Sequence, residues 1–194
     1  MQPNAGLIVY WTYAEIRHKI LSGEIDEAIK LLNAYFPAVL REGPAPPTTE
    51  SAPKDLRYLS STSTDPAHLL LNLRILAFCE ACRTVPLVYP PPTSGDEPER
   101  PTTLTRQKED DGGDDEATNR QQMDLLTRAR KLWAFAQTLP NQQDRATYDK
   151  ELKNVAGLLA YENPEESPMS KYLAMERREA VADQINRAIL SAYR

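Results

Sequence analysis

The sequence has few of the residues on which catalytic, metal-binding and disulfide-rich proteins depend. Its 194 residues include two cysteines, two histidines and seven glycines. Two cysteines force no disulfide framework, which favours a reducing compartment. Strand-like runs of valine, isoleucine and threonine are scarce too, whereas residues that favour helices dominate the ordered-looking parts. These shortages predict an all-α protein.

Long hydrophobic runs and a secretory leader are missing as well. The start of the chain, MQPNAGLIVYW, carries no basic segment, and its apolar run is far too short to span a membrane. We therefore expect a soluble, intracellular protein with no membrane contact. Its expected location is the cytoplasm, with the nucleus left open as a second compartment.

The chain also lacks the positive charge that nucleic-acid binding requires. Its net charge is −5, and residues 84–121 account for all of it with nine acidic and four basic side chains. The rest of the chain is balanced, so it has no overall basic character to attract nucleic acid. We expect no nucleic-acid partner.

Two proline-rich segments without apolar periodicity are predicted to be disordered linkers. They are residues 43–65, rich in proline, serine and threonine, and residues 84–121, proline-rich and then acidic. Neither could bury enough apolar surface to offset the entropy lost on ordering. The three prolines at 90–92 could form a polyproline II ligand for a signalling domain, although such runs are also common in linkers.

A helical hairpin is predicted near the start of the chain. Thr12 and Glu15 form a capping-box pattern for the first helix, and Gly23 is a typical helix end. A second helix beginning at Glu24 is then expected to lie antiparallel to the first. Its apolar stripe consists of Ile25, Ala28, Ile29, Leu32 and Phe36.

Four further helices complete a predicted bundle of about six. The third begins with Asp65 as N-cap and Pro66 at the first helical position. It is apolar on nearly all sides, so it is either buried or shared between a core and a partner. The others cover roughly 121–139, 144–161 and 175–193. Inward positions of the fourth helix are predicted to be Met123, Leu126, Ala129, Leu132, Trp133 and Ala136.

Two prolines interrupt the chain between its last two helices. Pro164 is interpreted as closing the fifth helix, and Ser167 as a cap that places Pro168 at the first position of a short turn. The apolar residues that follow would fix this corner on the core and set the angle of the last helix. They are Met169, Tyr172 and Leu173. A binding peptide is the alternative interpretation.

Catalytic and metal-binding patterns are missing from the sequence. Cys79 and Cys82 form a C-x-x-C, but a zinc site usually needs four ligands, and the chain offers only His18 and His68 besides. His68 lies eleven residues before Cys79, roughly 16 Å along one helix. We interpret both cysteines as core residues and expect no metal, no cofactor and no enzymatic activity.

Three segments resemble a known family. Residues 16–40, IRHKILSGEIDEAIKLLNAYFPAVL, resemble the first two helices of a CTLH domain, and residues 69–83, LLLNLRILAFCEACR, are similar to its third helix. LLAYENPEESP and the later RREAVADQINRAIL resemble the second half of a CRA domain. Together they resemble the C-terminal part of Ran-binding-protein-M relatives. These are scaffold subunits of the CTLH, or glucose-induced-degradation, E3 ubiquitin ligase.

The resemblance implies a division of the chain. CTLH-like helices would cover 7–83 with an insertion at 43–65, and CRA-like helices at 122–194 would pack with them as one domain across the linker 84–121. The LisH motif and SPRY domain found upstream in the family are absent, so we expect a fragment without SPRY-mediated binding. Two cysteines cannot supply the zinc sites of the ligase's RING subunits, so the implied role is non-catalytic.

Two functions are expected from these observations. The first is a scaffold whose leftover apolar face pairs with a homologous LisH/CTLH/CRA subunit of the ligase, or with a second copy. The second is a helical adaptor that binds short linear peptides in a groove. Large aromatics such as Trp11 and Tyr193 are either core residues or interface anchors. The candidate protein-binding residues are Leu31, Tyr35, Leu71, Ile75, Trp133, Ile185 and Ile189.

Overall fold

The computed structural model describes residues 5–41, 63–91 and 114–193, and this part of the chain is helical without a strand. The all-α prediction is confirmed. The helices in these ranges are α1 (Ala5–Ser22), α2 (Ile25–Tyr35), α3 (Pro37–Leu40), α4 (Pro66–Ala81), α5 (Asp114–Gln137), α6 (Gln142–Ala156) and α7 (Met175–Ala192). Three 3₁₀ turns, Gly157–Ala160, Pro164–Glu166 and Ser170–Tyr172, connect α6 to α7.

Two helices begin earlier than the sequence predicts. The first starts at Ala5, so Thr12 lies inside α1 instead of capping it. No proline lies between Ala5 and Thr12 to break the helix. A capping-box pattern is also compatible with the interior of a helix. The second such helix, α5, starts at Asp114, inside the predicted linker 84–121. The acidic side chains that argued for a linker there also suit a helix N-terminus.

The predicted N-cap of α4 is confirmed. The Oδ1 atom of Asp65 accepts a hydrogen bond from the backbone N–H of Ala67 at 2.9 Å, and Pro66 occupies the first turn. Glu24 occupies the N-cap position of α2, but its side chain does not cap the helix. Its carboxylate accepts hydrogen bonds from the side chains of Lys19 and Ser22 and not from a backbone N–H of α2.

Helix α4 separates two apolar cores. One face gives Leu69, Leu73 and Leu76 to a core formed with α1, α2, α3 and α7. The opposite faces give Ile75 and Phe78, among others, to a second core with α5, α6 and the 3₁₀ turns. This explains why α4 is apolar on nearly all sides: both of its faces are covered by its own chain.

One buried arginine joins four parts of the bundle. Arg178 of α7 is 2% exposed and donates two hydrogen bonds to the Glu80 carboxylate of α4, at 2.6 and 2.9 Å. It also donates to the backbone carbonyls of Leu21, at 2.8 Å, and Leu87, at 3.0 Å. Arg83 approaches the same carboxylate at 2.8 Å. A buried cation requires such partners, and here they fix the start of α7 against the end of α1.

The first eight residues of the predicted linker 84–121 are ordered. The Glu165 carboxylate accepts hydrogen bonds from the backbone N–H groups of Thr84, at 2.7 Å, and Val85, at 2.9 Å. Tyr89 packs its ring 5.7 Å from that of His18. These partners lie far away in sequence, so local composition could not predict them. Residues 43–62 of the other predicted linker and Pro92 lie outside the described residues, so the linker at 43–65 and the polyproline II ligand at 90–92 stay predictions.

The proline corner packs on the core as predicted. The Ser167 hydroxyl donates to the Pro164 carbonyl at 2.7 Å and accepts from the Met169 N–H at 3.1 Å. Leu173 is buried in the second core, and Met169 and Tyr172 pack against it. One detail differs: α6 already ends at Ala156, and Pro164 begins a separate 3₁₀ turn instead of closing the helix.

Gly23 is required by the turn between α1 and α2. Its φ of +87° suits glycine, and a Cβ atom there would lie 2.8 Å from a guanidinium nitrogen of Arg178. We expect Gly23→Ala to lower the free energy of unfolding by about 2 kcal/mol, because of backbone strain and displacement of Arg178. Urea unfolding monitored by circular dichroism measures this. The control is Gly157→Ala, whose Cβ would make only ordinary contacts, nearest at 3.5 Å. An equal effect of both substitutions would contradict the explanation.

The Glu80 cluster should make stability depend on pH. Burial favours the neutral carboxyl, but hydrogen bonds and charges from Arg178 and Arg83 outweigh it and hold the pKa of Glu80 below its ordinary value. Because the folded pKa is lowered, this stabilisation is present above the unfolded pKa of about 4.3 and is lost as the pH falls through the folded pKa.

We expect Glu80→Gln to lower the free energy of unfolding by about 3 kcal/mol at neutral pH, since Arg178 loses its buried counter-charge. The difference from wild type should narrow in acid, where Glu80 becomes protonated in the wild type. Denaturant unfolding between neutral and acidic pH measures both effects. Glu27→Gln, which removes an exposed ion pair with Lys30, is the control and should change little.

Candidate interaction surfaces

Four of the seven predicted protein-binding residues lie in the cores. Leu71 and Ile75 of α4 are fully buried in the second core. Ile185 and Ile189 of α7 are buried in the first core, against α1, α3 and α4. These side chains contact their own chain and are not accessible to another protein in this fold. Ile185 and Ile189 therefore face inward and do not form the leftover apolar face that was predicted to pair with another subunit.

The other three candidates are accessible to different degrees. Leu31 is half-buried against the first core, and Trp133 is half-buried against the second. Tyr35, at the end of α2, is exposed. Of the seven, Tyr35 has the side chain most available for a contact.

Four large side chains are exposed at one end of the first core, and we call them the aromatic end. They are Trp11 of α1, Tyr35 of α2, Leu190 of α7 and Tyr193, which follows α7; their exposed fractions are 68, 54, 59 and 52%. Tyr193 packs edge-on against the ring of the buried Phe36, with 5.4 Å between the centroids.

Topology places these four residues at the same end of the bundle. Helix α7 runs antiparallel to α1, because Arg178 contacts Leu21 while Asp183, further along α7, pairs with Arg17, earlier in α1, at 2.6 Å. Continuing this register places Leu190 beside the first half of α1, where Trp11 lies. The Gly23 turn makes α2 antiparallel to α1, so the end of α2 reaches the same place.

Sequence reasoning did not single out this surface. Leu190 lies next to Ile189 in sequence but off the inward stripe of α7, which is the signal that could have marked it. Trp11 and Tyr193 belong to the large aromatics for which core and interface interpretations were both open. The packing assigns these two to the surface.

The first half of α5 is also more exposed than predicted. Met123 and Leu126 were predicted to face inward, but both are exposed. Leu125 packs against the second core instead, followed by Ala129, Leu132 and Ala136 further along. The inward face is therefore rotated by one residue at the start of the helix, where the spacing of apolar residues is compatible with either face.

A cleft lies between α2, α4 and α5. Its volume is about 330 Å³. The apolar part of its lining consists of Ala77, Phe78 and Leu132, and the charged part consists of Asp26, Arg74, Arg128 and Lys131. Phe78 and Leu132 belong to the second core, so the cleft opens directly onto packed apolar side chains.

One group of side chains has the residue types of a catalytic triad. The Oγ atom of Ser63 lies 2.8 Å from Nδ1 of His68, and Nε2 of His68 lies 3.3 Å from the Asp144 carboxylate. The Ser63 hydroxyl also accepts from the backbone N–H of Asp65, at the start of α4. The group thus ties the N-terminus of α4 to α6, and none of its members lines the cleft. We interpret it as structural.

The C-x-x-C pair is part of the core, as predicted. Cys79 and Cys82 are free thiols buried in the second core. Burial raises the pKa of Cys79 to about 11 and that of Cys82 to about 12, so both thiols stay protonated near neutral pH. The described side chains include no group of histidine, cysteine and acidic residues arranged for a metal ion. Nor does any helix in the described ranges have the length and apolar character needed to cross a membrane.

Comparisons with known proteins agree with this architecture. A family model described as "CTLH/CRA C-terminal to LisH motif domain" matches residues 9–194. A curated relative, "Glucose-induced degradation protein 8 homolog" of Nematostella vectensis, is 44% identical over 50 residues. That match covers 26% of this chain and 22% of the relative, so the chain spans less than a quarter of the relative's length. No solved structure matches the chain.

Two substitutions on α7 distinguish its core face from the aromatic end. Ile185→Glu places a carboxylate among buried side chains, and we expect it to lower the free energy of unfolding by about 4 kcal/mol or to prevent folding. Leu190→Glu introduces the same group at an exposed position and should leave the free energy of unfolding within about 0.5 kcal/mol of wild type. Thermal and urea unfolding measure the difference. Similar losses in both variants would mean that α7 packs with another face inward.

Proposed function

The chain belongs to the CTLH/CRA family, and from this membership we propose that it is a non-catalytic scaffold that assembles subunits of a CTLH, or glucose-induced-degradation, E3 ubiquitin ligase. The observation that carries the proposal is the family match, which extends over residues 9–194 and includes every described core residue. The relative named for glucose-induced degradation supports the same assignment. The proposed location is cytoplasmic, with the nucleus as a second compartment.

We propose the aromatic end as the contact surface for a homologous LisH/CTLH/CRA subunit or a second copy. Aromatic residues are enriched in the buried centres of protein interfaces, where a few of them carry most of the binding energy. Three exposed aromatic side chains and a leucine lie at this end of the first core. Covering these side chains with a partner would remove apolar surface from water, which favours association.

The register of the helices and one ring contact determine the position of this surface. The Arg17–Asp183 ion pair and the hydrogen bond from Arg178 to Leu21 fix the register of α7 against α1. Phe36, buried in the first core, supports the ring of Tyr193 from below. A preformed surface loses little side-chain entropy on association, which favours binding.

The area of the aromatic end is smaller than that of a whole subunit contact. Its three aromatic side chains are between 52 and 68% exposed, which corresponds to about 350 Å² of accessible area in total. A stable subunit contact buries about 800 Å² on each partner. The aromatic end is therefore proposed as the energetic centre of a larger contact that also includes neighbouring polar residues.

Assembly measurements test this function. We expect Trp11→Glu and Leu190→Glu each to weaken self-association or binding to a homologous CTLH/CRA chain by at least about 10-fold, because loss of a central anchor costs about 2 kcal/mol. Size-exclusion chromatography with light scattering measures self-association, and co-purification measures binding to the homologue. Melting curves should stay close to wild type, because both side chains are exposed.

The control is Val88→Glu, which introduces the same charge at an exposed apolar position away from the aromatic end. It should leave assembly unchanged. If Trp11→Glu and Leu190→Glu also leave assembly unchanged, the contact lies on another surface. If wild type remains monomeric at high concentration and no homologous chain co-purifies with it, the scaffold function itself is wrong.

A further inference from the structure

The cleft between α2, α4 and α5 combines an apolar floor with a cationic rim. Ala77, which is partly exposed, forms the apolar floor together with the outermost atoms of Phe78 and Leu132, whose side chains are otherwise almost fully buried. Arg74, Arg128 and Lys131 supply three cations to the rim. Asp26 is the acidic residue among the described lining residues.

Arg74 and Lys131 are the two cations of the rim that are available to pair with a negatively charged ligand. Arg128 is paired with Asp124 at 2.7 Å, so its charge is partly neutralised. Arg74 stacks over the ring of Phe135, with its Cζ atom 4.9 Å from the centroid. Neither Arg74 nor Lys131 forms an ion pair with a side chain in the described ranges. Stacking also orients the guanidinium of Arg74, which leaves its edges available for carboxylate oxygens.

We propose that this cleft binds an acidic peptide segment of a partner protein. An apolar side chain of the peptide would contact Ala77 and the outermost atoms of Phe78 and Leu132, and flanking carboxylates would pair with Arg74 and Lys131. The volume of about 330 Å³ lies at the lower end of ligand sites, so it suits one anchoring side chain and its neighbours. The positive rim stands out on a chain whose net charge is −5.

An acidic peptide fits this cleft better than other anions do. Inorganic phosphate would use the cations but would leave the apolar floor uncovered. Nucleic acid would need a more extended basic surface than the three cations of this cleft, because outside residues 84–121 the charges of the chain are balanced. A peptide with alternating acidic and apolar residues satisfies both parts of the lining.

This site is separate from the aromatic end. Asp26 lies in the first turn of α2 and Tyr35 at its end, nine residues or about 14 Å further along the helix. The cleft and the aromatic end therefore both include residues of α2, but they use different residues of that helix. The binding of acidic peptides is thus a second activity, and it does not depend on the proposed scaffold function.

Fluorescence anisotropy with the full 194-residue chain tests the proposal. The probe is a fluorescein-labelled peptide of sequence EDLFED, and the comparison peptide, QNLFQN, has the same shape without the charges. We expect wild type to bind EDLFED, and to bind QNLFQN at least about five-fold more weakly. Lys131→Glu and Arg74→Glu should each weaken EDLFED binding by about five-fold or more, and Asp26→Asn should strengthen it.

The control variant is Arg130→Glu, which makes the same charge change at an exposed position of α5 outside the cleft. It should have little effect on EDLFED binding. Circular dichroism melting curves confirm that each variant is folded. If Arg74→Glu proves unstable through loss of its contact with Phe135, Lys131→Glu and Asp26→Asn still decide the question.

Each contrary outcome overturns the proposal in a defined way. Failure of wild type to bind EDLFED, or equal binding of QNLFQN, means that the cleft is not an acidic-peptide site. An effect of Arg130→Glu as large as that of Lys131→Glu means that binding follows overall charge and not the cleft. Displacement of EDLFED by inorganic phosphate at constant ionic strength assigns the cations to phosphate instead.

Discussion

The buried guanidinium of Arg178 is the interaction on which the arrangement of the bundle depends. An isolated charge in this position would be strongly destabilising, so its surroundings must supply a counter-charge and acceptors. Glu80 supplies the counter-charge, and the carbonyls of Leu21 and Leu87 supply the acceptors. These partners come from three separate parts of the chain. The hydrogen bonds of Arg178 therefore fix α7 relative to α1, α4 and the segment after α4. The antiparallel register that follows creates the aromatic end.

The two proposed surfaces use this framework differently. The aromatic end consists of exposed residues at one end of α1, α2 and α7, and one of them, Tyr193, packs on the buried Phe36. The cleft lies where α2 approaches α4 and α5, and its floor is the outer surface of the second core. One surface is therefore mainly apolar and the other combines apolar contact with positive charge. They would select partners of different chemistry.

The parts of the fold that sequence predicts are those determined by neighbouring residues. Asp65 and Pro66 mark the start of α4, and Gly23 marks the end of α1, because caps and turns depend on a few adjacent residues. The order of residues 84–91 depends on Glu165 and Arg178, which are distant in sequence, so composition alone indicated a linker. The sequence also marked Ile185 and Ile189 as apolar positions for packing or binding, but it cannot tell whether the same chain or a partner covers them. The aromatic end is visible only once the helices have their register.

The position of α4 between two cores has a consequence for how the chain unfolds. Leu73 contributes to the first core while Ile75, two residues later, contributes to the second. Removing the helices of either core would uncover a row of large apolar side chains on α4. Neither half therefore has a complete apolar interior of its own, and a truncated chain should aggregate or remain incompletely folded. The molecule is expected to lose its structure in one cooperative transition, with no stable half-folded form for a protease to release.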